Sequence, residues 1–216
     1  MTDRISAAEF NEASGLEDWR LLWGGTWPCA HFRTASFEMA VALVQAVGEL
    51  ATRVGRDPDV DLRAGGVSVR LFSDRATGLR PRDLDLAREI SRAARELGAS
   101  ADPSAVQHVQ IAIDALNIEA VRPFWCAVLG YELLGEKHLL DPQRRGPTFW
   151  CQQMDAPRPQ RGRIHVDVYL GKDEVEARIA AALAAGGRMV NDANAPEWWT
   201  LADPEGNEVD LAIWEG

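Results

Sequence analysis

Two histidines and a set of carboxylates stand where three alternating segments could bring them together. Residues 106–114 read Val-Gln-His-Val-Gln-Ile-Ala-Ile-Asp, and residues 163–170 read Arg-Ile-His-Val-Asp-Val-Tyr-Leu. Polar and apolar residues alternate in both, which is the period of a half-buried strand. One face of the first then carries His108, Gln110, Ala112 and Asp114, and one face of the second carries His165, Asp167 and Tyr169. A third segment, residues 207–213, sets Glu208 and Asp210 against Val209, Leu211 and Ile213. Two histidines, His108 and His165, with a carboxylate, Glu208 or Asp210, on the polar faces of three strands are a possible ligand set for a divalent metal. Fe, Zn, Mn or Ni would suit such donors.

The rest of the chain bounds what these residues can serve. Its 216 residues suffice for one large or two small domains, and 46% hydrophobic with 26% charged content is ordinary for a soluble globular protein. No apolar run approaches a membrane span, and the N-terminus lacks the layout of a signal peptide, so a cytoplasmic protein is expected. The net charge of −10 divides into −2 over residues 1–100 and −8 over residues 101–216. That balance argues against nucleic acid as a partner, which needs a positive field, and favours a small molecule. Cys29, Cys126 and Cys151 are an odd number without metal-knuckle spacing and read as small core residues.

The elements that must position the candidate ligands fall in two halves. Residues 98–105, small, polar and proline-containing, read as the joint, with domains expected at 1–98 and 106–216 and a linker at 99–105. The first half reads as α+β. Ser6 and Glu9 make a capping box, and Trp19–Trp23 and Trp27–Arg33 read as strands around Gly24-Gly25. Ser36 caps a helix reaching Val54; Asp59–Arg63 and Val67–Phe72 read as a second hairpin, and Pro81 begins a helix to Leu97. The second half reads as two copies of a βαβββ unit, with helices near Glu119–Leu129 and Asp173–Ala185.

Three blocks in the second half carry a resemblance: Phe124-Trp125-Cys126-Ala127-Val128-Leu129-Gly130-Tyr131, Arg163-Ile164-His165-Val166-Asp167-Val168, and Asp203-Pro204-Glu205-Gly206-Asn207-Glu208-Val209-Asp210. They resemble the glyoxalase-like branch of the vicinal oxygen chelate superfamily over residues 105–216. The resemblance implies paired βαβββ modules around a cavity, in which many members hold a divalent metal against adjacent substrate oxygens. It implies ligands at His108 and His165, opening each module, and at Asp210, where the family usually has Glu. The separation of His165 from Asp210, carried over to His108, reaches Gln153, or Gln152 with a slip of one residue. Neither is a carboxylate, so the four-ligand pattern is broken. Gln152, Gln153, Asp167 and Trp214 are expected in the cavity wall, with Tyr169 or Asp167 as proton-transfer groups.

Residues 5–97 resemble pterin-4a-carbinolamine dehydratase. The supporting residues are Asp57-Pro58-Asp59-Val60-Asp61-Leu62-Arg63, Val67-Ser68-Val69-Arg70-Leu71 and Gly78-Leu79-Arg80-Pro81-Arg82-Asp83-Leu84-Asp85-Leu86-Ala87. The family's dehydration chemistry is carried by a His-His-Pro segment and a later histidine. Here the segment reads Arg56-Asp57-Pro58 and the later position is Asp74, so all three histidines are replaced. Asp57 and Asp74 are the candidate acid/base pair if that chemistry persists.

Together these readings imply an α+β chain, a dehydratase-like α/β sandwich joined to a vicinal-oxygen-chelate-type domain, expected as a homodimer. Three functions follow as alternatives. One is metal-dependent lyase, isomerase or dioxygenase chemistry in the second half. Another is metal-free sequestration of a ligand there. The third is retained carbinolamine dehydration in the first half.

Overall fold

The computed structural model describes residues 4–22, 26–71, 78–157, 165–170 and 173–213. They form two compact units, Met1–His108 and Val109–Gly216, each with its own hydrophobic core.

The first unit runs α1 (Ala7–Glu12), β1 (Trp19–Leu22), β2 (Trp27–Arg33), α2 (Phe37–Val54), β3 (Asp59–Arg63), β4 (Gly66–Arg70), α3 (Pro81–Glu96) and β5 (Ser100–Ala101). Ser6 caps α1 through the expected box with Glu9, and the Ser36 side chain accepts from Met39 N to start α2. The sheet order is β1-β2-β4-β3, all antiparallel. Ala40, Leu43, Val47 and Leu50 of α2 recur at helical spacing and are buried with Phe32, Val67 and Val69 of the sheet and Leu86 and Ile90 of α3. The Trp19 indole fastens sheet to helix, donating to Ala87 O at 3.2 Å and Ser91 Oγ at 3.0 Å.

Residues 99–105 belong to this unit. Ser100–Ala101 pair with Phe32–Arg33, Asp102 N donates to His31 O at 2.8 Å, and the Arg33 and Asp102 side chains form an ion pair. Ala99 is buried in the core and Ala101 packs against it, but a two-residue strand is too short to show an alternating pattern.

The second unit runs β6 (Gln110–Ala115), α4 (Ile118–Leu129), β7 (Glu132–Leu134), β8 (His138–Leu140), β9 (Thr148–Gln153), β10 (Val166–Tyr169), α5 (Val175–Ala184), β11 (Arg188–Asn191), β12 (Trp198–Ala202) and β13 (Glu208–Ala212). It is the βαβββ unit twice over. The orders β7-β8-β9-β6 and β11-β12-β13-β10 are the same topology, each with its first strand parallel to its last. Val121, Phe124, Trp125 and Val128 of α4 share a core with Phe149, Cys151, Leu201, Val209 and Leu211.

A buried carboxylate fixes the turn before β13 and fastens it to the other module. Asp203 accepts from Glu205 N, Asn207 N and Asn207 Nδ2 at 2.8–2.9 Å, and from the Trp125 indole of α4 at 2.9 Å. Glu205 then takes Leu116 N and Asn117 N at the start of α4. All three cysteines are unpaired by disulfide, and burial pushes the Cys29 thiol up to about 12 and Cys151 to about 11. Both are inert thiols at neutral pH.

Candidate metal centre

β10 and β13 lie side by side in parallel register, with Val166 opposite Val209, Asp167 opposite Asp210, Val168 opposite Leu211 and Tyr169 opposite Ala212. The valines and Leu211 face the core, so the alternation turns Asp167, Tyr169 and Asp210 to the open face. Asp203 holds the register of the hairpin that delivers Asp210. A slip of one residue would exchange it for Val209 or Leu211.

His165 immediately precedes β10. Its Nε2 is 3.7 Å from Asp167 Oδ1 and its Nδ1 is 3.8 Å from Asp210 Oδ2. These spacings are too long for hydrogen bonds. They start from different imidazole nitrogens, only one of which can bind a given ion; with one ligand atom from each residue, the three atoms lie within 4.8 Å of one another. The Asp210 side chain is only 15% exposed, and its Oδ1 is buried without a hydrogen-bond partner among the described residues. Like charges placed directly opposite in a ladder repel. Two carboxylates, one imidazole and an unsatisfied buried oxygen are therefore a donor set that fits a divalent cation.

His108 is not a member of this group. It lies in the first unit, two residues ahead of β6, with its ring edge-on to Trp27 at 5.0 Å. The Arg70 guanidinium lies over the same indole at 4.8 Å. Burial, and then the Arg70 charge, hold His108 below the usual histidine range. The third member of the cluster is Asp167, which the sequence places in the cavity wall or as a proton-transfer group. The strand expected from residue 106 begins at Gln110, because Val106–Val109 continue its alternation ahead of the ladder.

The register also relocates the fourth position. Asp210 is laddered to Asp167, two residues past His165; two residues past His108 is Gln110, laddered to Thr148. Gln110 Nε2 donates to Thr148 Oγ1 at 3.1 Å, so a neutral pair stands where the second module has two carboxylates. Gln152 and Gln153 lie further along β9, and the Gln153 amide donates to Leu116 O and Met154 O. Carrying one separation over to the other module failed because the two helix-to-last-strand connections differ in length.

Tyr169 extends the same open face and is 63% exposed. Trp198 and Thr200 of β12 reach it too, since Thr200 is laddered to Asp210 and Trp198 to Ala212. Both escaped the sequence reading, although the alternation Trp198-Trp199-Thr200-Leu201 was the available signal. Trp199 and Leu201 pack in the core, and the other two turn to the opposite side, where Thr200 is buried and Trp198 partly so. Trp214 and Asp74 lie outside the described residues.

In the first unit, Asp57 is exposed in the connection between α2 and β3. Its neighbour Arg56 turns inward, with Nε 3.0 Å from Oδ1 of Asp83, a carboxylate only 2% exposed. Asp83 Oδ2 also accepts from Arg80 N at 2.9 Å, closing the first turn of α3. His31, mid-strand in β2, shares a 2.9 Å hydrogen bond with its ladder partner Ser68.

Comparison with known proteins agrees with this two-unit architecture. Residues 3–93 match the family model described as pterin 4 alpha carbinolamine dehydratase, and residues 110–212 match that of a glyoxalase-like domain. A putative pterin-4-alpha-carbinolamine dehydratase from Roseiflexus sp. is 37% identical over 91 residues, which are 42% of this chain and 96% of that protein. Another from Nocardia farcinica is 48% identical over 60 residues, 28% of this chain and 63% of that protein, so the match spans less than two thirds of its length. Among solved structures, a glyoxalase-related enzyme from Fulvimarina pelagi aligns at 18% identity and a TM-score of 0.41, covering 50% of this chain and 88% of that one. A transcriptional coactivator/pterin dehydratase from Brucella melitensis aligns at 23% and 0.39, covering 42% and 98%. The chain joins a dehydratase-type unit to a glyoxalase-like one. It belongs, through residues 3–93, to the pterin-4a-carbinolamine dehydratase family.

Proposed function

We propose that the protein acts on a small molecule through the open face of its glyoxalase-like domain, as a metal-dependent enzyme. His165, Asp167 and Asp210 would hold one divalent cation. The observation that carries this reading is the Asp167–Asp210 ladder pair, with His165 alongside and one Asp210 oxygen buried and unsatisfied. A cation there supplies Lewis-acid polarisation of a pair of adjacent substrate oxygens. Three protein ligands leave coordination positions for them. Tyr169, on the same face, is placed to exchange a proton with bound substrate.

The first unit is read as a dehydratase fold that has given up its reaction. Arg56 replaces a histidine of the family motif and is committed to the buried Asp83. Asp57 is exposed to solvent. The unit's role is then assembly, as a homodimer.

Elemental analysis of protein purified without chelator tests the metal. About one Fe, Zn, Mn or Ni per chain is expected, lost in Asp210→Ala and His165→Ala and kept in His108→Ala. Sub-stoichiometric metal in wild type, unchanged by those substitutions, would leave a metal-free ligand-binding protein instead. A carbinolamine dehydration assay tests the first unit: turnover by wild type that disappears in Asp57→Ala would overturn the assembly role. A monomer mass in light scattering would remove the dimer.

A further inference from the structure

We propose that the open face of the first βαβββ module is a second ligand site, which stacks a flat, uncharged aminoheterocycle of the guanine type against Trp150. The site goes beyond the metal reading and does not depend on it, since it uses none of His165, Asp167 and Asp210.

The ladder sets Ala112 of β6, Trp150 of β9 and His138 of β8 in one row across the sheet. Ile113, Phe149 and Cys151 pack in the core, so this row faces the other way. His138 lies against one flank of the indole, its ring stacked at 6.4 Å and 26°. Gln110 Nε2, 3.5 Å from His138 Nδ1 and 3.1 Å from Thr148 Oγ1, braces that imidazole. On the other flank the ladder neighbour of the indole is Ala112, a single methyl group, and β6 ends its sheet among the described residues. That methyl is exposed, and Trp150 is half-buried. The second module is built differently. There Ala212, laddered between Tyr169 and Trp198, is only 6% exposed, so its row is closed. A ring standing over Ala112 would lie about 4.8 Å from Trp150, inside the range of about 4.5–7 Å at which aromatic pairs attract.

The groups beside Ala112 set the chemistry of the ligand. Asp114 lies on the same face two residues further along β6, about 6.7 Å away. A two-ring heterocycle over Ala112 spans part of that distance, and a hydrogen bond of about 2.9 Å closes the rest. A carboxylate accepts two parallel N–H bonds from one planar group, as a ring N–H beside an amino group provides. Gln152, exposed and laddered to Asp114, adds an amide that can donate to a ring oxygen next to that edge. Guanine carries these groups in this order. The charge of −8 over residues 101–216 disfavours a phosphate, so the base or its nucleoside is the class that fits.

The test is isothermal titration of the full-length protein with guanosine and inosine, which differ by the 2-amino group alone. Guanosine is expected to bind about tenfold more tightly, the worth of one hydrogen bond to a charged acceptor. Asp114→Asn should level the two, because the paired acceptor is lost. Ala112→Leu fills the flank while Trp150 stays, and should remove both affinities. Thermal midpoint and metal content should hold in each variant. Guanosine monophosphate should bind no better than guanosine. Binding of neither nucleoside, or binding that survives Ala112→Leu, would overturn the site. Equal affinities in wild type, a preference kept in Asp114→Asn, or a clear gain from the phosphate would overturn the ligand class. Absence of metal from wild type would overturn the metal reading and leave the guanosine-to-inosine ratio to decide this site.

Discussion

Asp167 and Asp210 are ladder partners on two parallel strands, and the two nitrogens of His165 lie 3.7 and 3.8 Å from their carboxylates. Opposed like charges cost about 0.2–1 kcal/mol in a ladder. In chelator-treated protein, Asp167→Asn is therefore expected to stabilise the fold by about that amount. With metal restored, the same substitution should destabilise it, because a ligand bound only by the native state is weakened. Thermal melts of both proteins with and without chelator check the reversal; a shift of the same sign in both conditions would refute it.

His108 should titrate below the usual histidine value of about 6.5. Burial is the larger cause and the Arg70 charge the second, so Arg70→Gln should move the midpoint only part of the way back. The fold favours the neutral ring. Its contribution is whole above the unfolded pKa and declines as pH falls from there through the folded one. Imidazole proton resonances followed through a pH titration give the midpoint directly, and a value at or above 6.5 would contradict the packing against Trp27 and Arg70.

Removing the Asp203 carboxylate should unfasten the two modules. Asp203→Ala strips an acceptor from Trp125, Glu205 and Asn207 in a site that is 0% exposed, and leaves buried donors unsatisfied. A loss of about 3 kcal/mol is expected in urea unfolding, with lowered metal content because the turn before Asp210 loses its register. A loss well below 1 kcal/mol would show that the turn holds without it.

Arg56→Ala should cost more than most single substitutions in the first unit. It leaves the Asp83 charge buried without its partner, a penalty of about 3–5 kcal/mol. Replacing both members, as Arg56→Met with Asp83→Leu, should be much milder because no charge is then stranded. If the double variant is as unstable as the single one, the pair is not what holds this corner of α3.

The architecture was largely legible because burial writes itself into local period. Trp27–Arg33 and Asp59–Arg63 are strands at their expected bounds, and α3 ends one residue before its expected Leu97. The doubled βαβββ unit was visible because each copy needs the same sequence of apolar stripes to cover one sheet face. Residues 99–105 pack onto the first unit through a strand of only two residues, too short to leave an alternating pattern.

Which residues would do chemistry was legible only in part. The sequence by itself determined that Asp167 and Asp210 lie on polar strand faces, with His165 just ahead of the first, since alternation against Val166, Val168, Val209 and Leu211 leaves them no other side. Tertiary structure alone decided which of them meet. Register between β10 and β13 set Asp167 opposite Asp210, and register between β12 and β13 brought Trp198 and Thr200 to the same face. The packing of His108 on Trp27 drew it into the other unit. Ladder pairing depends on connection lengths and on distant packing, and neither is encoded in the spacing of residues within one strand.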